Sequence, residues 1–119
     1  MSRRYKSYAA ETGIVYRYFF ESRRGLVRPS GLGPGSDYIF VTTPDQGPPF
    51  PLRVFVSQRA IAAWRAAHSR DLDSSEQYAV AKMRLFRAFD ELENLREESF
   101  NLVVDETNVE ELLEALDLA

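Results

Sequence analysis

The sequence predicts a single α+β domain in which a mostly antiparallel sheet of three to five strands packs against a long central helix, with two shorter helices around it. Three observations predict this class. The 119 residues match the commonest size of one domain and are too few for two ordinary ones. Strand-like segments fill the first half, and helical periodicity fills most of the second. Hydrophobic residues make up 45% and charged residues 28%, as in folded globular domains.

The first half of the chain predicts three or four strands in an antiparallel meander. These segments are rich in β-branched and aromatic side chains; they are residues 14–21, a short return strand at 26–28, then 37–43 and 52–56. The segments 29–36 and 44–51 are rich in proline and glycine and predict loops. Residues 1–13 are predicted to be a flexible N-terminal segment, which leaves 14–119 as the domain.

Besides a long helix, the second half of the chain predicts two shorter helices and a last strand. Ser57 is a suitable N-cap for a helix that runs to about His68. Residues 100–104 predict a strand. After it, Thr107 or Asn108 caps a short helix that has apolar residues at core spacing and acidic residues outside.

The long helix lies between these elements and is predicted over Ser75–Leu95. Ser74, with Gln77 three residues later, fits a capping box at its start. Its apolar face is wider than one neighbour requires, so the helix is predicted to be central, between the sheet and either the first helix or a second subunit.

The charge is unevenly distributed along the chain. Residues 1–70 hold 11 Lys and Arg against 4 acidic residues, a net charge of +7, whereas residues 71–119 hold 4 against 14, a net charge of −10. This asymmetry indicates an anionic partner for the basic part, or copies whose opposite parts meet, unless both parts lie over one globule and neutralise each other.

Composition excludes several classes of protein. The chain has no cysteine, so it has no disulfide, thiolate nucleophile or Cys-ligated metal site. Its longest apolar run, residues 60–64, is far shorter than the roughly 20 residues of a membrane-spanning helix. The first 13 residues lack the apolar stretch of a secretory signal, which predicts a cytoplasmic location. No cofactor and no membrane partner are expected.

Two motifs that resemble functional sites do not meet the requirements of those sites. The glycines of residues 31–35 precede a strand and not a helix, so they predict a loop and not a phosphate cradle. Asp71 and Asp73 have the spacing of the first calcium ligands of an EF-hand, but Glu76 would then replace the required glycine and Lys82 the required glutamate. Neither a phosphate site nor a metal site is predicted.

His68 is the only histidine of the chain, which excludes His-rich metal sites. Helical spacing places it beside Trp64 and Ile61 near the end of its helix, where packing or capping is expected. No serine lies in a nucleophile elbow of the Gly-x-Ser-x-Gly kind. No catalytic residue is predicted. A hydrolase or transferase built on His68 and carboxylates ranks third, after the two binding functions given below.

Strand alternation predicts two sheet faces of different chemistry, because successive side chains point to opposite sides. The mostly apolar face, expected to be the core, carries Ile14, Tyr16, Tyr18, Phe20, Ile39, Val41, Leu52, Val54 and Val56. The opposite face also includes Val15 and mixes cations with rings; its candidate binding residues are Arg17, Phe19, Tyr38, Phe40, Arg53 and Phe55. A face of this kind is either covered or used in binding.

Three explanations for the mixed face stay open. Helices lie on both sides of the sheet; two copies pair through this face; or bases stack on the four rings while the two arginines contact phosphates. The expected function is a non-catalytic protein-interaction or scaffold module that self-associates or binds another protein. The alternative is binding of single-stranded RNA or DNA through the Arg and aromatic face, although nucleic-acid domains are usually more basic than a chain of pI 5.2.

Overall fold

The computed structural model of the chain describes residues 4–29, 31–45 and 47–116. These residues form one five-stranded sheet and three helices. In chain order the elements are β1 (Lys6–Ala9), β2 (Val15–Arg28), β3 (Gly33–Pro44), β4 (Phe50–Ser57), α1 (Gln58–His68), α2 (Ser74–Glu91), β5 (Leu102–Val104) and α3 (Val109–Glu114). The α+β class is confirmed.

The sheet has the strand order β1-β2-β3-β4-β5. The first four strands form an antiparallel meander, and β5 joins β4 in parallel. The parallel pair follows from connectivity, because α1 and α2 carry the chain back across the sheet before β5 begins. The sheet is therefore mixed, with antiparallel pairing in all but its last ladder.

The hairpin of β2 and β3 is longer than predicted. The expected strand 14–21 and return strand 26–28 are one strand, with an irregularity in the pairing between Phe20 and Ser22. The expected loop 29–36 is wrong for residues 33–36, which pair with the end of β2. Ladder hydrogen bonds and tertiary pairing override the weak strand propensity of glycine and proline here. The expected loop 44–51 is wrong at its ends, because Pro44 belongs to β3 and Phe50 and Pro51 belong to β4. Residue 30 of the first loop and residue 46 of the second lie outside the described residues.

The strand β1 lies within the segment 1–13, whose first three residues are outside the described part of the chain. Lys6–Ala9 pairs with β2, and the Tyr8 hydroxyl donates a 2.6 Å hydrogen bond to Asp90 Oδ2 on α2. This carboxylate raises the pKa of Tyr8 to about 12, with burial as the second cause. The sequence of Lys6–Ala9 neither alternates polar and apolar residues nor contains β-branched side chains, so its pattern does not predict a strand.

The helices agree with the prediction except at the ends of α2. α1 begins at the predicted Ser57 cap, whose hydroxyl accepts from the Ala60 amide. The capping box of α2 uses Asp73 and Glu76 in place of Ser74 and Gln77, and the helix ends at Glu91, so the prediction that it reaches Leu95 is wrong. The short acidic helix α3 follows Asn108, one of the two predicted caps, but the Asn108 side chain bonds the Asp105 amide and the Val103 carbonyl and does not cap the helix.

All three helices pack on one face of the sheet and share a single hydrophobic cluster with it. α2 contributes rings that stack on β2, with the Phe89 ring 4.4 Å from Tyr16; α1 contributes Trp64, and α3 contributes Leu112 and Leu113. The explanation that places helices on both sides of the sheet is therefore wrong. We call the two sides the helix-covered face and the helix-free face.

Candidate functional site: the helix-free face of the sheet

The sequence assigned the residues of β3 to the wrong faces. Tyr38 and Phe40 are 3% and 0% exposed and lie on the helix-covered face, where both rings contact Tyr78 of α2. Ile39 and Val41, expected in the core, lie on the helix-free face instead. Both alternating sets of β3 are apolar, so alternation alone does not identify the core side, and pairing with the neighbouring strands decides it.

Phe55 does lie on the opposite side of β4 from Val54 and Val56, as predicted, but it is fully buried. The Arg28 guanidinium covers its ring at 5.0 Å from the centroid. That guanidinium also bonds Asp37 Oδ1 at 2.8 Å and the Phe100 carbonyl at 2.7 Å, so it is held from two further sides. The Phe55 ring is therefore closed off from ligands by an ion pair.

The three remaining candidates, Arg17, Phe19 and Arg53, form two clusters on the helix-free face. The Arg17 guanidinium lies 4.7 Å from the ring centroid of Tyr5, and Tyr5 meets Phe19 edge-on at 4.9 Å. The Arg53 guanidinium lies 4.2 Å from the centroid of Phe100, which is 55% exposed. Cation–π stacking thus holds both arginines at the surface.

A groove of about 430 Å³ crosses the same face between these clusters. Ile39 and Val41 of β3 line it from the central strand. Its other lining residues come from β2, β3, β4 and the segment before β4; they are Glu21, Ser22, Arg24, Asp37, Pro49, Phe50, Pro51 and Arg53. The groove therefore joins an apolar centre to side chains of both charge signs.

Most residues of the groove were not among the binding residues predicted from the sequence. Arg24 was not a candidate because the bulge after Phe20 reverses the alternation of β2 beyond it. Glu21 ends the predicted strand 14–21 and was not singled out as a binding residue. Ile39 and Val41 were missed because they were assigned to the core. If the pairing of β2 with β3 had been extended through the Pro- and Gly-rich segment, it would have identified Arg24 as a groove residue, because Arg24 lies opposite Asp37 in the ladder.

The uneven charge of the sequence is only partly neutralised inside the fold. Two Arg–carboxylate pairs link residues 1–70 to the acidic part, within the described ranges: Arg65 with Asp71 and Arg70 with Glu76. Arg17 and Arg24 stay exposed on the helix-free face. The acidic side chains of α3, such as Glu111 and Glu114, lie on the helix layer. The helix layer thus carries both charge signs, since α1 and α2 also hold Arg59, Arg65 and Arg87.

His68 has the packing role expected for it. Its ring stacks on Trp64 at 4.3 Å, and its Nε2 lies 2.6 Å from Glu110 Oε1. In the described part of the chain, no group of three or more His, Cys, Asp or Glu residues is placed to hold a metal ion. Among the described residues, Glu110 is the carboxylate that the hypothesis of a catalytic His68 would use.

Protein-family models, curated proteins and solved structures were compared with this chain, and none matches it. Among the helices described above, none is both long enough and apolar enough to cross a bilayer.

Proposed function

We propose that the chain is a non-catalytic interaction module that self-associates through the helix-free face of its sheet. The observation that carries this proposal is the groove over Ile39 and Val41, which has an apolar centre on a face without helices. Apolar surface of this kind gains free energy when a partner removes it from water.

A second copy suits the groove better than a polyanion because the groove contains carboxylates as well as cations. Glu21 lines one part of it, and Arg24 and Arg53 line others. In a two-fold symmetric pair the same patch meets itself, so Glu21 of one copy can face an arginine of the other. The same carboxylate would repel a phosphate backbone.

The two cation–π clusters also favour the helix-free face as the interface. Arg and Tyr side chains are enriched among residues that dominate binding energy at protein interfaces. Here Arg17 with Tyr5, and Arg53 with Phe100, present such side chains already held in place by ring contacts. Less side-chain entropy is then lost when a partner binds.

The test is the substitution Val41→Lys, which puts a charge at the half-buried centre of the groove. The expected result is a dimer for the parent protein and a monomer for the variant, measured by light scattering in line with size exclusion over a range of concentrations. Ala62→Lys, on the exposed side of α1, is the matched control and is expected to stay dimeric. A parent protein that is monomeric throughout, or a Val41→Lys dimer, contradicts the proposal.

Single-stranded nucleic acid is the second candidate, supported by the three arginines of the helix-free face. Burial of Tyr38, Phe40 and Phe55 removes three of the four rings on which bases were expected to stack. Fluorescence anisotropy with a labelled mixed oligonucleotide separates the candidates, because phosphate binding weakens steeply with salt. Val41→Lys would strengthen binding to a polyanion while it abolishes self-association.

A further inference from the structure

The second half of β2 forms an outer edge of the sheet. β1 pairs with β2 only as far as Lys6 opposite Tyr18, and β2 then continues past its irregularity to Arg28. In the described part of the chain, residues 22–28 of β2 therefore pair with β3 alone. We call this segment the open edge. Alternate residues of such a strand direct their N–H and C=O groups away from the sheet, so it presents a row of backbone donors and acceptors.

The opposite edge of the sheet is closed by side chains. β5 contains only residues Leu102–Val104. Its Val103 carbonyl accepts hydrogen bonds from Asn108 Nδ2 at 2.9 Å and from Arg84 Nε at 3.3 Å. A short strand with its carbonyl occupied is a poor template for a further strand. The open edge is longer than β5 and has no such side-chain cover among the described residues.

A cavity of about 400 Å³ lies beside the open edge on the helix-covered face. It is lined by Phe20 and Arg23 of β2, by Tyr38 of β3 and by Ser74, Ser75 and Tyr78 at the start of α2. Phe20 is 40% exposed there, although its ring contacts those of Tyr38 and Tyr78. Neighbouring side chains of paired strands lie about 4.5–5.5 Å apart. A side chain of an added strand can therefore enter this cavity, and its rings suit an apolar or aromatic group.

The charge of the open edge favours one kind of strand. Its sequence contains three arginines, Arg23, Arg24 and Arg28, and no acidic residue. Arg28 is paired with Asp37, whereas Arg23 and Arg24 are exposed, and neither forms an ion pair with a described residue. A second copy of the same segment would bring further arginines to this edge, and like charges on paired strands repel. An acidic strand from another protein meets no such repulsion.

We propose that the open edge binds an extended acidic segment of a partner protein by β-strand addition. The partner's backbone completes the hydrogen bonds of β2, and an apolar or aromatic side chain occupies the cavity beside Phe20 and Tyr78. Carboxylates of the partner bind Arg23 on the helix-covered face and Arg24 on the helix-free face, since adjacent residues of a strand point to opposite sides. This is a further function beside the proposed self-association and does not require it.

The probe is a fluorescein-labelled peptide of sequence Gly-Ser-Phe-Glu-Glu-Thr-Val-Gly, followed by fluorescence anisotropy at low salt. We expect saturable binding to the parent protein. Alanine in place of the phenylalanine is expected to weaken binding at least about tenfold, because it leaves the cavity empty. Lysine in place of both glutamates is expected to abolish binding.

Two backbone-methylated peptides test whether the peptide adds as a strand. One is N-methylated at every second residue, and the other at the remaining residues. An added strand bonds β2 through one of these two sets of amides only. One methylated peptide is therefore expected to bind at least about tenfold more weakly than the parent peptide, and the other within about threefold of it. Equal binding of the two methylated peptides would overturn the proposal, because a contact through side chains alone does not distinguish them.

A pair of protein variants locates the binding site. Arg23→Gln removes an exposed charge at the open edge and is expected to weaken binding about three- to tenfold. Arg87→Gln removes the same charge from α2, where the guanidinium pairs with Glu111 at 3.3 Å, and is the matched control, with an affinity within about twofold of the parent. Equal losses for the two variants, or no saturable binding of the peptide by the parent protein, would also overturn the proposal.

Discussion

The two faces of the sheet bury aromatic rings by different means. Phe40 and Phe55 are both fully buried and lie on opposite faces. Phe40 lies among the rings of Phe20, Tyr18 and Tyr78, so apolar packing against the helix layer removes it from water. Phe55 is covered by one guanidinium. Burial on the helix-free face therefore depends on a few local contacts, and the strand surface beside them stays open as a groove.

The largest expected effect comes from removing the two rings in turn. Phe40→Ala is expected to lower the free energy of unfolding by about 3–5 kcal/mol, because the packed helix layer cannot collapse into the space. Phe55→Ala is expected to cost clearly less, since Arg28 and solvent can fill the position. Urea denaturation measures both. Equal losses would mean that the helix-free face is as tightly packed as the core.

The positions of Phe40 and Phe55 show which parts of the fold could be predicted from the sequence. The three helices and parts of β2 to β5 were located from periodicity and propensity, and Ser57 marked the start of α1 correctly, whereas β1 was not predicted. The facing of β3 could not be predicted, because Tyr38 and Phe40 are as apolar as Ile39 and Val41. Only the ladder, which sets Phe40 opposite Leu52, decides between the two sets.

The candidate site was harder to predict than the fold for a related reason. Three of the six predicted residues, Arg17, Phe19 and Arg53, lie on the helix-free face without being fully buried, and the other three are buried. The cover over Phe55 requires Arg28, which the sequence placed in a separate short strand. Long-range pairs of this kind depend on the register of the hairpin, and its irregularity after Phe20 carries no sequence signal that local propensity detects.

Breaking the Arg28–Asp37 ion pair tests whether the guanidinium that covers Phe55 stabilises the fold. Arg28→Gln leaves the buried Asp37 carboxylate without its cation, and we expect a loss of about 2–4 kcal/mol, somewhat below the range for fully buried pairs. Arg24→Gln, at an exposed position opposite Asp37 in the ladder, is the control and is expected to change stability by less than about 0.5 kcal/mol. Similar losses of unfolding free energy for both variants would show that Arg28 contributes only to the net charge and not through its contact with Asp37.

A smaller loss of stability is expected from a substitution of Gly35, which lies against the Phe55 ring. A Cβ at Gly35 would lie 2.5 Å from both Phe55 Cζ and the Val56 carbonyl oxygen, so the backbone must shift. Gly35→Ala is therefore expected to cost about 1–3 kcal/mol. Gly25→Ala places its Cβ 3.9 Å from the nearest atom and is expected to be neutral or slightly stabilising. Thermal melts of the pair measure the difference, which disappears if the strands at Gly35 have room to separate.

The smallest expected effect is confined to the helix layer and depends on pH. Glu76 accepts from Arg70 at 2.7 Å and from the Asp73 amide at 3.0 Å, and these contacts lower its pKa from 4.5 to about 2. Because the folded pKa lies below the unfolded one, this stabilisation is complete above about pH 4.5 and is lost as the pH falls towards 2. Glu76→Gln is expected to lower stability by up to about 1 kcal/mol near pH 7.

Chemical denaturation at several pH values follows this difference, which is expected to shrink as the pH falls because the glutamine mimics the protonated acid. Glu76 lies on α2, on the far side of the sheet from the groove. The variant should therefore retain the self-association of the parent protein at neutral pH, whereas Val41→Lys should lose self-association without losing stability. A Glu76→Gln protein that becomes monomeric while it stays folded would mean that the helix layer contributes to the interface.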